Sequence, residues 1–423
     1  MDEKKKRNSL PKWLQFGGQH YTIQRFGLLI GFVSMILLLC VGSGVYSQYK
    51  YDANRLTTVA SYTKEFKMSR TESAGEVVNV FSNQNRTKAF VLLKFKDITQ
   101  VSANANDYQM FLGVKKVSGN KSGWSYKPAG SIYVFGTTGY VGIYLTNEAG
   151  FESQVLELTL RGNSEIVPVT AKVVEETGQE SFAKYDQARF NINPGATSVQ
   201  TLDALDGDEA DVAKLFEEMV LKPQDEKIRE SLKTTLTEMK AKLSAIDEYT
   251  RRAKELSIDG RSLVVPSPTD DIKGDKVTAI EDKLYLDTKY VYPKGYNFTW
   301  QDNQLGQYGL LVRKDGKSLF ETVRTKRAEK QDINTNTNLS DIKWKLNDGT
   351  DFNALTSDGQ GLSIIKEAQS VVGNVQKAWS EYQKLKEKYQ TSELPKLLDL
   401  ELQLENVSQN YSVNTSESVL RVY

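Results

Sequence analysis

The chain carries one long uninterrupted apolar run, FGLLIGFVSMILLLCVGSGVY from Phe26 to Tyr46, and no charged side chain lies within it. Coiled as a helix with about 1.5 Å rise per residue, such a run spans about 30 Å, the hydrocarbon thickness of a bilayer. Residues 26–46 therefore read as a transmembrane helix and 47–73 as a polar, membrane-proximal linker. Beyond the linker the period falls to two. In TKAFVLLKFK, Val91, Leu93 and Phe95 point one way and Lys94 and Lys96 the other, the alternation of a half-buried strand. Short runs recur at Val77 to Phe81, Tyr108 to Val114, Ile132 to Phe135, Tyr140 to Leu145, Val155 to Leu160 and Ile166 to Val173, with glycines punctuating the gaps. About seven short strands with turns every 8 to 12 or so residues predict an antiparallel, immunoglobulin-like β-sandwich. It would occupy 74–175, without the tryptophan and cystine hallmarks of true immunoglobulin domains, and a connector, 176–206, follows.

Near Asp206 the period changes again. Ile228, Leu232, Leu236, Met239, Leu243, Ile246, Tyr249, Ala253 and Leu256 recur mostly by three and four, the stripe of an amphipathic helix. Pro223 separates this helix from a shorter one at about 209–221, and Gly260 ends it. A second stripe, Val371, Val375, Ala378, Tyr382, Leu385 and Tyr389, predicts a helix over 362–389. Helices of roughly 33 and 28 residues would measure about 50 and 42 Å. Their similar lengths predict an antiparallel two-helix coiled-coil stalk, 207–258 paired with 361–391. The intervening 259–360 has strand patterns at 283–291, 296–300, 309–313 and 342–346, and reads as a β-rich module inserted at the stalk's far end. In 392–423, DLELQLE puts Leu400, Leu402 and Leu404 on one face of a strand, and Ser418 to Tyr423 reads as another. These C-terminal strands would return to the stalk base, to complete the sandwich or extend a strand at Arg189 to Ile192. The expected class is mainly β with long α-helices.

Charge orients the anchor. Lys4, Lys5, Lys6, Arg7, Lys12 and Arg25 precede the apolar run against only Asp2 and Glu3. Residues 1–25 therefore form a basic tail that the positive-inside rule keeps in the cytoplasm, and the rest of the chain faces outward. Trp13, Phe16 and Tyr21 on one side, and Tyr46, Tyr49 and Tyr51 on the other, stand where amphipathic rings settle at the two interfaces. A cleaved secretory signal is the competing reading, with Gly42-Ser43-Gly44 as the cleavage site. Against it, the basic region is long and the apolar run exceeds the usual roughly 7 to 15 residues. Leu39 is too bulky for lipoprotein processing at Cys40. Lysine plus arginine number 55 and aspartate plus glutamate 54, for a net charge of +1, so the outward part is slightly acidic once the basic tail is set aside. Nucleic acid thus loses its electrostatic footprint. The small cluster Arg324, Lys326, Arg327 and Lys330, interrupted by Glu329, reads as a solvated face.

Composition removes whole classes of chemistry. The single cysteine, Cys40, and the single histidine, His20, both lie at or before the end of the apolar run. An outward part with neither builds no Cys/His zinc site, Ser-His-Asp triad or cysteine nucleophile, and no cofactor or metal is expected. A large exterior without disulfides points to a bacterial envelope, and Asn-x-Ser/Thr triplets such as Asn85-Arg86-Thr87 then arise by chance. The acidic run Asp203, Asp206, Asp208, Glu209 and Asp211 lacks EF-hand spacing and suits a helix N-terminus. Ser-x-x-Lys occurs at Ser61, Ser118, Ser181, Ser340 and Ser363, without the companion motifs of a serine acyltransferase. GTTGYVG, Gly136 to Gly142, lies between strands and reads as a turn. Only hydrolysis of glycosides by paired carboxylates is left open as catalysis, and no pair stands out. Aromatic rings supply the positive signal. Tyr285, Tyr290, Tyr292, Tyr296, Phe298 and Trp300 crowd one stretch, while Trp124 and Tyr126 share a Gly/Ser/Pro-rich loop. Trp124, Tyr126, Tyr292, Tyr296 and Trp300 form the candidate binding surface, since rings with polar tips suit protein interfaces and stacking on sugars. The alternative is that these rings fill two small cores.

The basic tail Lys4 to Arg7, single span Phe26 to Tyr46, cysteine-free outer β domain and heptad helices together resemble single-pass surface proteins and conjugation or secretion accessory proteins of Gram-positive bacteria. The plan also resembles membrane-fusion adaptors of export systems, although their hairpins turn directly between helices. The likeness is one of layout and transfers no residue's role. It implies a non-enzymatic, membrane-anchored extracellular scaffold or adhesin, partnered by the membrane, by other envelope proteins or a cell-wall polymer, and by further copies of itself. A cell-wall polysaccharide-binding protein and a carboxylate glycosidase are the alternatives.

Overall fold

The computed structural model describes residues 22–99, 101–115, 124, 127–162, 185–207, 211–313, 316–328, 342–355 and 361–423. The strand expected at 166–173, together with Tyr126, Asp208, Glu209 and Lys330, lies outside them. Helix α1 (Thr22–Thr58) is 37 residues long, and its apolar part, Ile30–Tyr51, is wholly exposed. Length and composition make it compatible with a membrane anchor or a signal sequence. It does not stop at Tyr46. No glycine or proline interrupts 47–58, so the helix continues through half of the expected linker. The chain after it bonds directly to the backbone of residues 191–197: Thr197 N–H donates to the Thr57 carbonyl and Asn193 N–H to that of Ala60, both at 2.8 Å. Tyr62 N–H then donates to the Asn191 carbonyl at 2.9 Å.

Two sheets follow. The strands are β1 (Glu65–Lys67), β2 (Ala74–Ser82), β3 (Lys88–Phe95), β4 (Tyr108–Val114), β5 (Ala129–Val134), β6 (Tyr140–Thr146), β7 (Leu156–Gly162), β8 (Asp186–Ile192) and β9 (Gln200–Thr201). Near the C-terminus come β15 (Ser412–Asn414) and β16 (Leu420–Val422). One sheet has the order β1-β2-β3-β6-β5-β15, with β9 parallel to the end of β2; the other is β16-β4-β7-β8. Val91, Leu93 and Phe95 of β3 meet Met110, Leu112, Leu158, Leu160 and Phe190 in one core between the sheets. The alternate residues Phe90 and Leu92 are equally buried, on the opposite face, where they pack with Phe216, Leu215, Leu400 and Val407. Helices thus cover the outer face of the first sheet, and β3 is buried on both sides rather than half-buried.

Those helices belong to two long runs. The first is α2 (Val212–Phe216), a π-turn (Glu217–Leu221) and α3 (Lys222–Glu255); the later one is α6 (Gly361–Lys388), a π-turn (Tyr389–Glu393) and α7 (Leu394–Asn410). Pro223 and Pro395 stand near the start of α3 and α7. A proline inside a helix lacks an N–H and clashes with the carbonyl four residues back. In each case the wider π-turn precedes the ring and the run continues, so the helix passes through Pro223, which was expected to break it. α3 and α6 are antiparallel, with Lys242 paired to Glu381 at 2.6 Å and Ser231 Oγ donating to Glu393 Oε1 at 2.9 Å. The strand expected at DLELQLE is helix α7 instead. Leu394, Leu397, Leu398 and Glu401 recur by three and four and are buried, and this period outweighs the alternation of Leu400, Leu402 and Leu404.

The inserted stretch mixes strands and helices. β10 (Ser257–Ile258), β11 (Arg261–Val264) and β14 (Lys345–Leu346) form one small sheet, β12 (Lys276–Ile280) and β13 (Lys283–Asp287) a hairpin. α4 (Tyr308–Val312) replaces the strand expected at 309–313, and α5 (Leu319–Ala328) follows. At 296–300 the alternation is real, with Tyr296 and Trp300 buried and Asn297 and Thr299 exposed, but the rings pack on helices rather than in a sheet. The class is therefore mixed, with helices and antiparallel sheets, rather than mainly β. Nor is the insertion confined to the far end of the helix pair. Trp300 hydrogen-bonds Tyr389, and Gly306 contacts Glu401 in α7, so the insertion runs back along the pair to the helices that cover the sheet. Two helices alone cannot enclose rings as large as Trp379 of α6, which stacks on Trp344 with centroids 6.1 Å apart.

Candidate functional site

A fully buried ion pair and the polar groups around it lie where the insertion meets α6. Tyr382, Lys386 and Gln390 follow one another at four-residue spacing, which places them on one face of the helix. Lys386 Nζ and Asp275 Oδ2 form an ion pair of 2.7 Å with side chains 0% and 1% exposed. The ammonium also donates to the Asp271 carbonyl and, at 2.8 Å, to Thr288 Oγ1, so all three donors are used. Tyr382 O–H donates to the same Asp275 oxygen at 2.7 Å. Tyr292 O–H and Gln383 Nε2 donate to Asp271 Oδ2. Gln390 closes the cluster: its Oε1 accepts from Tyr292 N–H at 3.0 Å and its backbone carbonyl from Tyr296 N–H at 2.9 Å.

Burial pushes the Lys386 amine below its ordinary value, and Asp275 and Asp271 oppose that shift. Burial, reinforced by the adjacent carboxylates, pushes the Tyr382 and Tyr292 phenols up, so both remain proton donors at neutral pH. A second cluster lies closer to the sheets. Arg229 pairs with Asp225 at 2.6 Å, donates to the Trp300 and Asn303 carbonyls, and sits over the Tyr308 ring at 5.5 Å. Beside it the buried Glu401 accepts from Gly306 and Tyr308 N–H; burial pushes its carboxyl up to about 6, against the backbone N–H groups of Gly306 and Gln307.

These clusters pin polypeptide to polypeptide. An enclosed ion pair presents no face to a substrate, and the hydrogen-bonding capacity of Lys386 is spent on the fold. Among the described residues no group of three or more His, Cys, Asp or Glu side chains could hold a metal ion. Of the aromatic residues singled out from the sequence, Tyr296 and Trp300 are buried and Tyr292 is half-buried; all three belong to the contact between insertion and helices. Trp124 is half-buried against the core between the sheets, away from them, with its indole N–H buried. Asp211, from the acidic run, caps α2 by accepting from Ala213 and Lys214 N–H.

Lys386, Asp275, Arg229 and Glu401 escaped sequence reasoning. One signal was present: Lys386 stands four residues after Tyr382 and three before Tyr389, a charge within the predicted packing stripe. Compared with protein-family models, with curated proteins and with solved structures, the chain matches none.

Proposed function

We propose that this protein is a non-enzymatic, single-pass scaffold of a bacterial envelope, anchored by α1 with its N-terminus in the cytoplasm and the remainder outside. In this reading the paired sheets are an immunoglobulin-like sandwich, the α3–α6 pair is a coiled-coil stalk stiffened by the insertion, and the partners are envelope proteins. The observation that carries it is the direct attachment of α1. The backbone bonds at Thr57, Ala60 and Tyr62 hold the end of an exposed apolar helix against the sheets with no flexible tether. Such a joint fixes the orientation of the sheets at a bilayer, which a scaffold needs. The enclosed polar clusters favour the same reading, since they rigidify the contact between insertion and helices.

Two experiments test it. In a Cys40→Ser background, a cysteine replacing exposed Lys289 is expected to react with a membrane-impermeant maleimide on intact cells, whereas one replacing Ser9 reacts only after lysis. The opposite pattern overturns the topology. Crosslinking in cells followed by mass spectrometry is expected to capture envelope proteins, and a flexible Gly-Ser insertion after Thr58 should reduce that capture. Equal capture by both forms argues against an oriented scaffold.

A further inference from the structure

The contact between α6 and the insertion holds an amine against a carboxyl group inside a sealed compartment. Lys386 Nζ and Asp275 Oδ2 are 2.7 Å apart, with side chains 0% and 1% exposed. Enclosure sets this pair apart from others of the same chemistry: Lys242 and Glu381 approach to 2.6 Å, but their side chains are 38% and 36% exposed, so water competes there.

The donors of Lys386 and Tyr382 converge on the same oxygen, Oδ2, the phenol at 2.7 Å. The Asp271 carbonyl and Thr288 Oγ1 hold the other two N–H groups of the ammonium. The nitrogen is thus fixed beside a carboxyl carbon that lies one bond beyond Oδ2. A rotation, without travel, brings it to the separation of about 3 to 3.5 Å from which attack proceeds, and groups held in this way react as if at concentrations of about 10⁵ M or more. Burial, which pushes the amine below its ordinary value, favours the neutral form that carries the lone pair. Excluding water also withholds the reagent of the reverse reaction.

We propose that Lys386 and Asp275 condense to an intramolecular isopeptide bond that joins α6 to the insertion. A proton first passes from the ammonium to Oδ2 across their contact. The amine then attacks the carboxyl carbon, and Tyr382, hydrogen-bonded to Oδ2, assists the departure of that oxygen. A second proton moves from nitrogen to Oδ2, the C–Oδ2 bond breaks and water leaves. A C–N bond thereby replaces a C–O bond, with no change in oxidation state and no co-reactant. The third proton stays on the amide nitrogen, beside the Asp271 carbonyl and Thr288 as acceptors. Freshly folded chain holds the ion pair described above, which is the reactant, and the bond accumulates on standing in the folded state. None of this depends on how α1 is placed in a membrane.

The test follows the intact mass of the full chain, purified in detergent and kept folded at neutral pH for weeks. A species lighter by one water is expected to grow at a rate independent of protein concentration. Its tryptic digest should contain a branched peptide joined through Lys386 and Asp275, with no cleavage after Lys386. Chain kept in urea should form none, because unfolding separates the pair. Tyr382→Phe, its fold checked by tryptophan fluorescence, should slow the growth at least about tenfold. An unchanged mass overturns the proposal. So does loss of water without the branched peptide, since a succinimide at an Asp-Gly step such as Asp259-Gly260 sheds the same mass. Equal growth in folded and unfolded chain overturns the argument from geometry, and an undiminished rate in the folded Tyr382→Phe variant overturns the role of the phenol.

Discussion

The enclosed Lys386–Asp275 pair makes a sharp energetic prediction. Replacing Lys386 by Met keeps most of the side-chain volume but leaves the Asp275 carboxylate with the Tyr382 hydroxyl as its remaining hydrogen-bond donor in this cluster. It also removes the donor that serves the Asp271 carbonyl and Thr288. Breaking a buried pair from one side costs about 3 to 5 kcal/mol, because a charge remains without a partner. Replacing both residues, Lys386→Met with Asp275→Asn, removes both charges and still offers Tyr382 an acceptor. The double variant should therefore lose only about 1 to 2 kcal/mol, the cost of the hydrogen bonds to Asp271 and Thr288. Trp300, Trp344 and Trp379 lie in the same core as Tyr382, so tryptophan fluorescence during urea unfolding reads the right region. With a slope of about 3 kcal/mol per molar, the single variant's midpoint falls by about 1 to 1.7 M and the double recovers about half or more. A single substitution costing under about 1 kcal/mol, or a double no more stable than the single, would falsify the claim that an uncompensated charge dominates.

Glu401 supplies a pH dependence of defined sign. Its folded pKa of about 6 lies above the ordinary 4.5, so the folded state binds the proton more tightly. The associated stability is fully present below about pH 4.5 and is lost as pH rises through 6, about 2 kcal/mol in all; Glu401→Gln should flatten that segment of the stability profile, and an unchanged slope would refute the assignment. Gly195→Ala would place a Cβ 2.2 Å from the Glu152 carbonyl oxygen, a backbone atom with no room to yield, so a loss of about 1 to 3 kcal/mol is expected in thermal unfolding. The hairpin turn between β12 and β13 holds Glu281 and Asp282 at φ +48° and +63°. Asp282→Gly should relieve that strain and raise stability by about 0.5 to 1 kcal/mol; a decrease would mean that the carboxylate has a local role that outweighs the backbone term.

Much of the fold was legible because it is written in local periods. The apolar run, the strands of the two sheets and the two helical stripes each announce themselves within a dozen residues. What escaped depends on distant partners. Nothing local in KAFVLLKF tells that Phe90 and Leu92 meet Phe216 and Leu400, and this contact turns paired sheets into a layered sheet-and-helix arrangement. Proline rules mark Pro223 as a break, but a π-turn accommodates the ring when both sides of the helix are packed. The aromatic cluster at 285–300 was correctly identified as dense, yet whether a ring faces water or a helix is decided by α3 and α6.

The two long helical runs pass from one core to another without interruption. Val212, Leu215 and Phe216 pack under the first sheet, while Leu232, Leu236 and Met239, farther along the same run, pack with the insertion. The later run makes the reverse passage, from Val375 and Trp379 to Leu400 and Val407. Ile228 touches both cores. Neither core can melt without stripping helices from the other, so heat should meet one cooperative transition where the sequence suggests a string of modules. A protease would likewise find no seam between them, and a pull on the insertion would travel along paired rods into the sheets that hold the end of α1.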